Sequence, residues 1–192
     1  MEHEELWREF APNGEAKDVG WVKWEYMKLD KICGSAHVWV WRRGATGDME
    51  VLMQLRAADE AVWPDHWDIS TAGHINVDET ALEAAVREAN EEINLKLDPE
   101  RLEYVFCDRR VTEWYEEFRY VFIYEMIDEL KFEFNDGEVD ELKWVSLSDL
   151  KEWVGNSDGR SEKIVPHPPY YFAQLFEWLE KVGAKGRNGN EV

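Results

Sequence analysis

Between Gly73 and Leu95 the chain reads GHINVDETALEAAVREANEEINL, a run that restricts the fold more than any other. Leu82, Ala85, Val86, Ala89 and Ile93 recur at three- and four-residue steps, which lays an apolar stripe along a helix over roughly 79–93. Much of the stripe is small, so the helix can lie close against a sheet. Thr80 followed by Glu83 is a capping-box pattern, and Asp78 and Glu79 stand where a helix N-terminus favours negative charge. At about 100° per residue, Glu88, Glu91 and Glu92 fall within an arc of about 100°, so their carboxylates converge. Converging carboxylates repel one another. They are either a solvated acidic face or a set of hard oxygen donors suited to Mg²⁺ or Mn²⁺.

The flanking segments have strand character. AHVWVWRR (36–43), the turn GATGD and MEVLMQLR (49–56) read as a hairpin. AADEAVWPDHWDIS is a loop that Pro64 keeps irregular. After the helix, LEYVFCD (102–108) and VTEWYEEFRYVFIYEMI (111–127) are rich in aromatic and β-branched residues and read as antiparallel strands. KFEF, the NDG turn at 135–137 and ELKWVS make a further strand, turn and strand. SDLKEWV (148–154), with Ser148 as a cap, and YYFAQLFEWLEKV (170–182) read as helices, and GAKGRNGNEV as a disordered end. The expectation is one α/β domain over 1–182, with its core at about 36–150 and a mixed sheet carrying a few helices.

Composition narrows the partners. The 42 acidic residues against 22 basic ones give a net charge of −20 in 192 residues, which opposes binding to a nucleic-acid backbone. A small phosphorylated substrate stays compatible with that charge if divalent cations stand between carboxylates and phosphates. No run of 18 apolar residues is present, so no membrane span is expected. The two cysteines, Cys33 and Cys107, have neither CxxC nor zinc-finger spacing and fit a reducing, cytoplasmic compartment. A homodimer is compatible with the sequence but not specified by it.

The helix and its approach also resemble the Nudix box of the Nudix hydrolases. That pattern is Gly, five residues, Glu, seven residues, Arg-Glu, an aliphatic residue, any residue, Glu-Glu, any residue, Gly, an aliphatic residue. Here the positions are Gly73, Glu79, Arg87, Glu88, Ala89, Glu91, Glu92, Asn94 and Leu95, eight of nine matching. Asn94 replaces a glycine after the helix C-terminus, where a left-handed backbone is usual and Asn tolerates it next best. The resemblance implies the Nudix fold, an α/β/α sandwich around a mixed β-sheet with the box as loop-helix-loop. It implies metal ligation by Glu88, Glu91 and Glu92, aided by the backbone carbonyl of Ala72. It gives Arg87 a supporting part, pairing with Glu79 and orienting the catalytic glutamates. A further ligand is expected ahead of the last strand, at Glu138, with Glu141 the competing choice. The implied reaction is metal-assisted hydrolysis of a phosphoanhydride, with Glu92 or Glu88 as candidate base.

Residues 36–150 resemble the isopentenyl-diphosphate-isomerase-like branch of that family, through AHVWVW, the QLR segment, WPDHWD and AGH. In the isomerases a catalytic Cys precedes the Gly-His; here Ala72 stands there and offers no proton. The isomerases also gather histidine ligands ahead of the box, and in KLDKICGSAHVWVW (28–41) this chain has only His37. Hydrolysis is therefore favoured over isomerisation, and a non-catalytic binding module is the third reading. Arg56, His74 and Trp67 are the candidate substrate contacts, with Trp63 beside them. Arg109, Arg110 and Arg119 are further cations whose faces the sequence leaves open.

Overall fold

One long strand organises the computed structural model, which describes residues 5–22, 31–111, 116–127, 132, 137–155 and 162–187. This strand, β3 (Ile32–Arg43), follows an N-terminal hairpin of β1 (Trp7–Phe10) and β2 (Ala16–Trp21). Along one edge it runs parallel to β8 (Glu116–Glu125), from Ile32 opposite Glu116 to Trp41 opposite Glu125. Its other edge serves three partners in turn: β1 at Ile32, β6 (Thr71–His74) from Ser35 to Val38, and β4 (Met49–Arg56) from Trp41 to Arg43. Beyond this centre, β5 (Trp67–Asp68) and β9 (Val139–Ser146) pair with β4, and β7 (Glu103–Val111) pairs with β8.

The strand β3 and its hairpin partner β4 separate after the turn, and Ser70 fills the gap. Its hydroxyl accepts the Val40 N–H at 2.8 Å and donates to the Leu52 carbonyl at 2.6 Å. These two bonds replace ladder bonds that a splayed pair cannot make, and they hold open the place where β6 enters.

Alternate residues of β3 feed two cores. Ala36, Val38 and Val40 pack with Leu52, Phe122 and Tyr124 beneath α1 (Ala81–Ile93), through Ala84, Ala85, Ala89 and Ile93. Trp39 and Trp41 pack on the opposite face with Val51, Met53, Val121 and Ile123. That face is covered by α2 (Leu147–Gly155) and α3 (Pro169–Arg187), through Leu150, Tyr171, Phe172, Leu175 and Leu179. Burial on both sides is why β3 lacks the clean alternation of a one-faced strand. The result is the α/β/α sandwich around a mixed sheet.

Several expected bounds change. The strand expected from Ala36 begins at Ile32, because the parallel partner β8 pairs with it through Cys33 and through Gly34, a residue of low strand propensity. The loop before the box contains one short strand, β5, and a second, β6, follows it and runs into the first residues of the box; both are too short to show a period. The cap of α2 is Ser146 rather than Ser148: its hydroxyl accepts the Asp149 N–H at 3.0 Å. The last helix continues past Val182 to Arg187, so the expected disordered end is helical over 183–187, and 188–192 lie outside the described residues. Of KFEF and NDG, only Phe132 and Gly137 fall among the described residues.

Candidate active site

The box helix is built as its sequence requires. Thr80 caps α1: its hydroxyl accepts the Glu83 N–H, and Glu83 accepts the Thr80 N–H at 2.8 Å, closing the capping box. At the other end Asn94 adopts φ 53°, ψ 32° and donates its N–H to the carbonyls of Ala89 and Asn90. The left-handed stop expected of the missing glycine is therefore made by asparagine.

Arg87 ties the loop to the helix. Its Nε and Nη2 reach the two Glu79 oxygens at 3.0 and 2.6 Å, and Nη2 also donates to the His74 carbonyl at 2.8 Å. Its Nη1 lies 2.8 Å from both Glu88 Oε1 and Glu91 Oε2. Glu79 also accepts the Asn76 N–H at 2.7 Å. Burial alone would make Arg87 easier to deprotonate, but the Glu79 bonds and the charges of Glu88 and Glu91 outweigh it and hold the guanidinium ionised.

The three box carboxylates divide by depth. Glu92 is 5% exposed and Glu88 lies inward beside it on the helix, whereas the Glu91 side chain is 50% exposed and held by Arg87. Burial pushes the Glu88 carboxyl up to about 7, against the opposing pull of Arg87. Its carboxylate occupies the space a side chain on Gly73 would need: a Cβ there would fall 1.9 Å from Glu88 Cδ and Oε1. Glycine in the box thus makes room for a ligand.

Backbone register shows what β6 offers beside it. The Ile75 N–H bonds to the Gly34 carbonyl at 2.9 Å, so Gly34 and Ile75 form a hydrogen-bonded pair. Two-residue alternation then turns the carbonyls of Ala72 and His74, opposite His37 and Ser35, away from β3. The His74 carbonyl is the one Arg87 takes. Ala72 presents its carbonyl on the same free edge, while its methyl packs against the core beneath α3.

The remaining candidates are scattered. Glu138 is exposed just ahead of β9, and its carbonyl accepts the Ala57 N–H at 2.8 Å; Glu141 is exposed opposite Leu55. Arg56 is engaged within its own loop, by the Val62 carbonyl at 3.0 Å, Glu60 at 2.7 Å and Asp68 at 3.8 Å. Trp67 is a packing anchor rather than a surface for stacking: it is buried, meets Trp153 at 6.1 Å between centroids and donates its indole N–H to Glu162. Trp63 is the exposed indole of that loop, in a left-handed conformation at φ 55°. The His74 ring stacks on Trp7 at 3.4 Å. Arg109 pairs with Glu116 and Arg110 with Glu117, and Arg119 is fully buried on Asp108.

Sequence reasoning missed a buried polar row on the α3 face. Cys33, Ser35 and His37 of β3 stand opposite Glu117, Arg119 and Val121 of β8. The signal was there: in EEFRYVFIYE, Glu117 and Arg119 share a period-two face with Val121 and Ile123, the core face. Trp39 donates its indole N–H to the Tyr171 hydroxyl at 3.1 Å, and that hydroxyl lies 2.9 Å from His37 Nδ1. His37 Nε2 is 3.4 Å from Ser35 Oγ, which donates to Glu117 at 3.3 Å.

The profile of the NUDIX domain matches residues 34–167, and the chain belongs to that family. It is 29% identical over 164 residues to Nudix hydrolase 3 of Arabidopsis thaliana, covering 81% of this chain and 21% of the plant protein. It is 35% identical over 109 residues to the isopentenyl-diphosphate Delta-isomerase of Cutibacterium acnes, covering 52% of this chain and 55% of that one. The chain thus spans about a fifth of the first relative and about half of the second. Among solved structures, DR0079 from Deinococcus radiodurans superposes with a TM-score of 0.65 at 17% identity, over 91% of this chain and 98% of that one. The NUDIX domain of Shewanella oneidensis NrtR, solved with ADP-ribose, gives 0.61 at 14% identity, over 83% of this chain and 99% of its own. Both likenesses concern the fold. Among the described residues, no helix is long and apolar enough to cross a membrane.

Proposed function

We propose that this protein hydrolyses a phosphoanhydride bond in a small-molecule diphosphate, a nucleoside diphosphate derivative or a prenyl diphosphate, at a Mg²⁺ or Mn²⁺ site on α1. The observation that carries the reading is the room cleared at Gly73 for the inward Glu88 carboxylate, beside Glu92 and the Ala72 carbonyl that turns away from β3. Those oxygens, with Glu91 and a contribution from Glu138, are a hard donor set that suits either ion and no soft one. A divalent ion bound there supplies electrophilic polarisation of the phosphoryl group and a more acidic water.

The chain's own residues do the rest. Arg87 fixes Glu88 and Glu91 from one side and the β6 carbonyl edge from the other, so the donors are positioned before substrate arrives. Glu92 or Glu88 accepts the proton of the attacking water, and the inward placement of both supports either as base. Arg56, at the mouth of the WPDHWD loop, is the candidate diphosphate contact, and reaching phosphate requires it to leave Glu60. Isomerisation is the weaker reading, because Ala72 carries a methyl where an acid–base group would have to stand. The test is a panel of nucleoside diphosphates, dinucleoside polyphosphates, ADP-ribose and prenyl diphosphates, each with Mg²⁺ or Mn²⁺ and assayed for released phosphate, mononucleotide and isomer. Metal-dependent cleavage of a member supports the proposal. No cleavage across the panel, or isomer formation without cleavage, overturns it.

A further inference from the structure

We propose that Asp68, fixed by His167, is the positioning residue for Arg56, and that Glu60 competes with the substrate diphosphate for the same guanidinium. The proposal rests on the reading of Arg56 as the diphosphate contact. Backbone pairing assembles the group. Trp67 donates its N–H to the Lys163 carbonyl at 2.8 Å and accepts the Val165 N–H at 2.9 Å, which lays 163–165 along β5 and carries His167 to Asp68. From the other side, β4 sets Gln54 opposite Asp68 and presents Arg56 two residues further along the same face.

A chain of contacts with one direction runs from the buried interior to Arg56. Arg119 is fully buried and holds Asp108 with two bonds, Nε to Oδ1 at 2.9 Å and Nη2 to Oδ2. Its Nη1 lies 3.2 Å from His167 Nδ1. A guanidinium can only donate, so Nδ1 accepts and the ring carries its proton on Nε2. That proton faces Asp68 Oδ1 at 3.5 Å, and Oδ1 also accepts the Ile69 N–H at 2.8 Å. With Oδ1 held from two sides, Oδ2 is left for Arg56, whose Nη1 is 3.8 Å away. The imidazole itself is held by packing: its side chain is 5% exposed and stacks on Tyr171 at 4.5 Å.

The second carboxylate on Arg56 is of a different kind. Glu60 Oε2 takes Nη2 at 2.7 Å from within the loop, and nothing in the interior orients it. Asp68 is buried in a strand and anchored through His167, whereas Glu60 sits on a longer, partly exposed side chain. A diphosphate oxygen approaching the guanidinium therefore displaces Glu60 and not Asp68. Nη2 passes to the phosphate, and Nη1 closes on Asp68, which keeps the planar fork aligned with its anion.

The test is calorimetric titration of the full chain with methylenebisphosphonate, a diphosphate that cannot be hydrolysed, at saturating Mg²⁺. Glu60→Gln should tighten binding by about two- to fivefold, the worth of a partly exposed ion pair. A merely structural pair would give the opposite sign, because its loss loosens the loop. Asp68→Asn should weaken binding by about 10-fold or more. His167→Leu should weaken it similarly, and His167→Gln, which keeps a donor near Nε2, should weaken it less. Because His167 acts through Asp68, the double variant Asp68→Asn with His167→Leu should be no weaker than Asp68→Asn alone. Tighter binding to Glu60→Gln with no hydrolysis across the substrate panel would sink the hydrolase reading and leave this one standing. Unchanged or weaker binding to Glu60→Gln, a loop variant that removes nothing from the core, overturns the proposal. So does wild-type affinity in Asp68→Asn, additive loss in the double variant, or no binding of the bisphosphonate to the wild type.

Discussion

Gly73→Ala separates the fold of the box from its chemistry. An added Cβ would lie 1.9 Å from Glu88 Cδ and Oε1 and 2.5 Å from Oε2, whereas ordinary contact is about 3.5 Å, so the carboxylate must move by about 1.5 Å. The obstacle is the far end of a flexible side chain, not backbone, so the strand and helix need not shift. The cost in stability is the lost Arg87 contact and some residual crowding, about 1–2 kcal/mol. For a domain of this size that lowers Tm by about 2–8 °C. The cost in activity is larger, because a displacement of about 1 Å in a positioned group already costs about 100-fold. Calorimetric Mg²⁺ titration and turnover on the best panel substrate should both fall about 100-fold or more, in a protein that still unfolds cooperatively. A variant that kept its Mg²⁺ affinity and turnover to within about threefold would refute the account of Glu88 as a placed ligand.

The helix stop gives a stability prediction: Asn94→Ala, forced into the left-handed region, should cost about 1 kcal/mol by urea unfolding, and Asn94→Gly should be no less stable than the wild type. A pH prediction rests on His37, which burial, then the charges of His167 and Arg119, holds neutral well below the usual imidazole range. Below about pH 6.5 the unfolded chain gains a proton there that the folded chain does not, so stability falls as pH is lowered through that value. The His37→Gln variant should show a shallower fall between pH 7 and pH 5 in chemical unfolding; an unchanged slope would remove His37 as its cause.

What the sequence made legible was local. The capping box and the strand Met49–Arg56 follow from contacts within about a dozen residues and stand as expected, as does the stripe of α1 at Ala85, Ala89 and Ile93, with Ala84 added and Leu82 and Val86 only partly buried; the Glu79–Arg87 pair, which the resemblance implied, is present. Trp67 misled because a loop aromatic reads the same whether its face is wet or packed, and Trp153, which buries it, is far along the chain. The convergence of three glutamates was half legible: angular spacing grouped them, but only packing against β6 turned Glu88 and Glu92 inward and left Glu91 outside. Ser35, His37 and Glu117 were invisible as a group because parallel pairing of β3 with β8 joins residues about eighty positions apart. Local pattern carries no trace of such a register.

The most direct test of the central claim is the turnover of Glu92→Gln beside the wild type, with Mg²⁺ saturating and folding checked by circular dichroism. The substitution keeps shape and removes one charge, so the account predicts an intact fold with hydrolysis reduced by about 100-fold or more. Turnover equal to that of the wild type would contradict the assignment of the box carboxylates to the reaction.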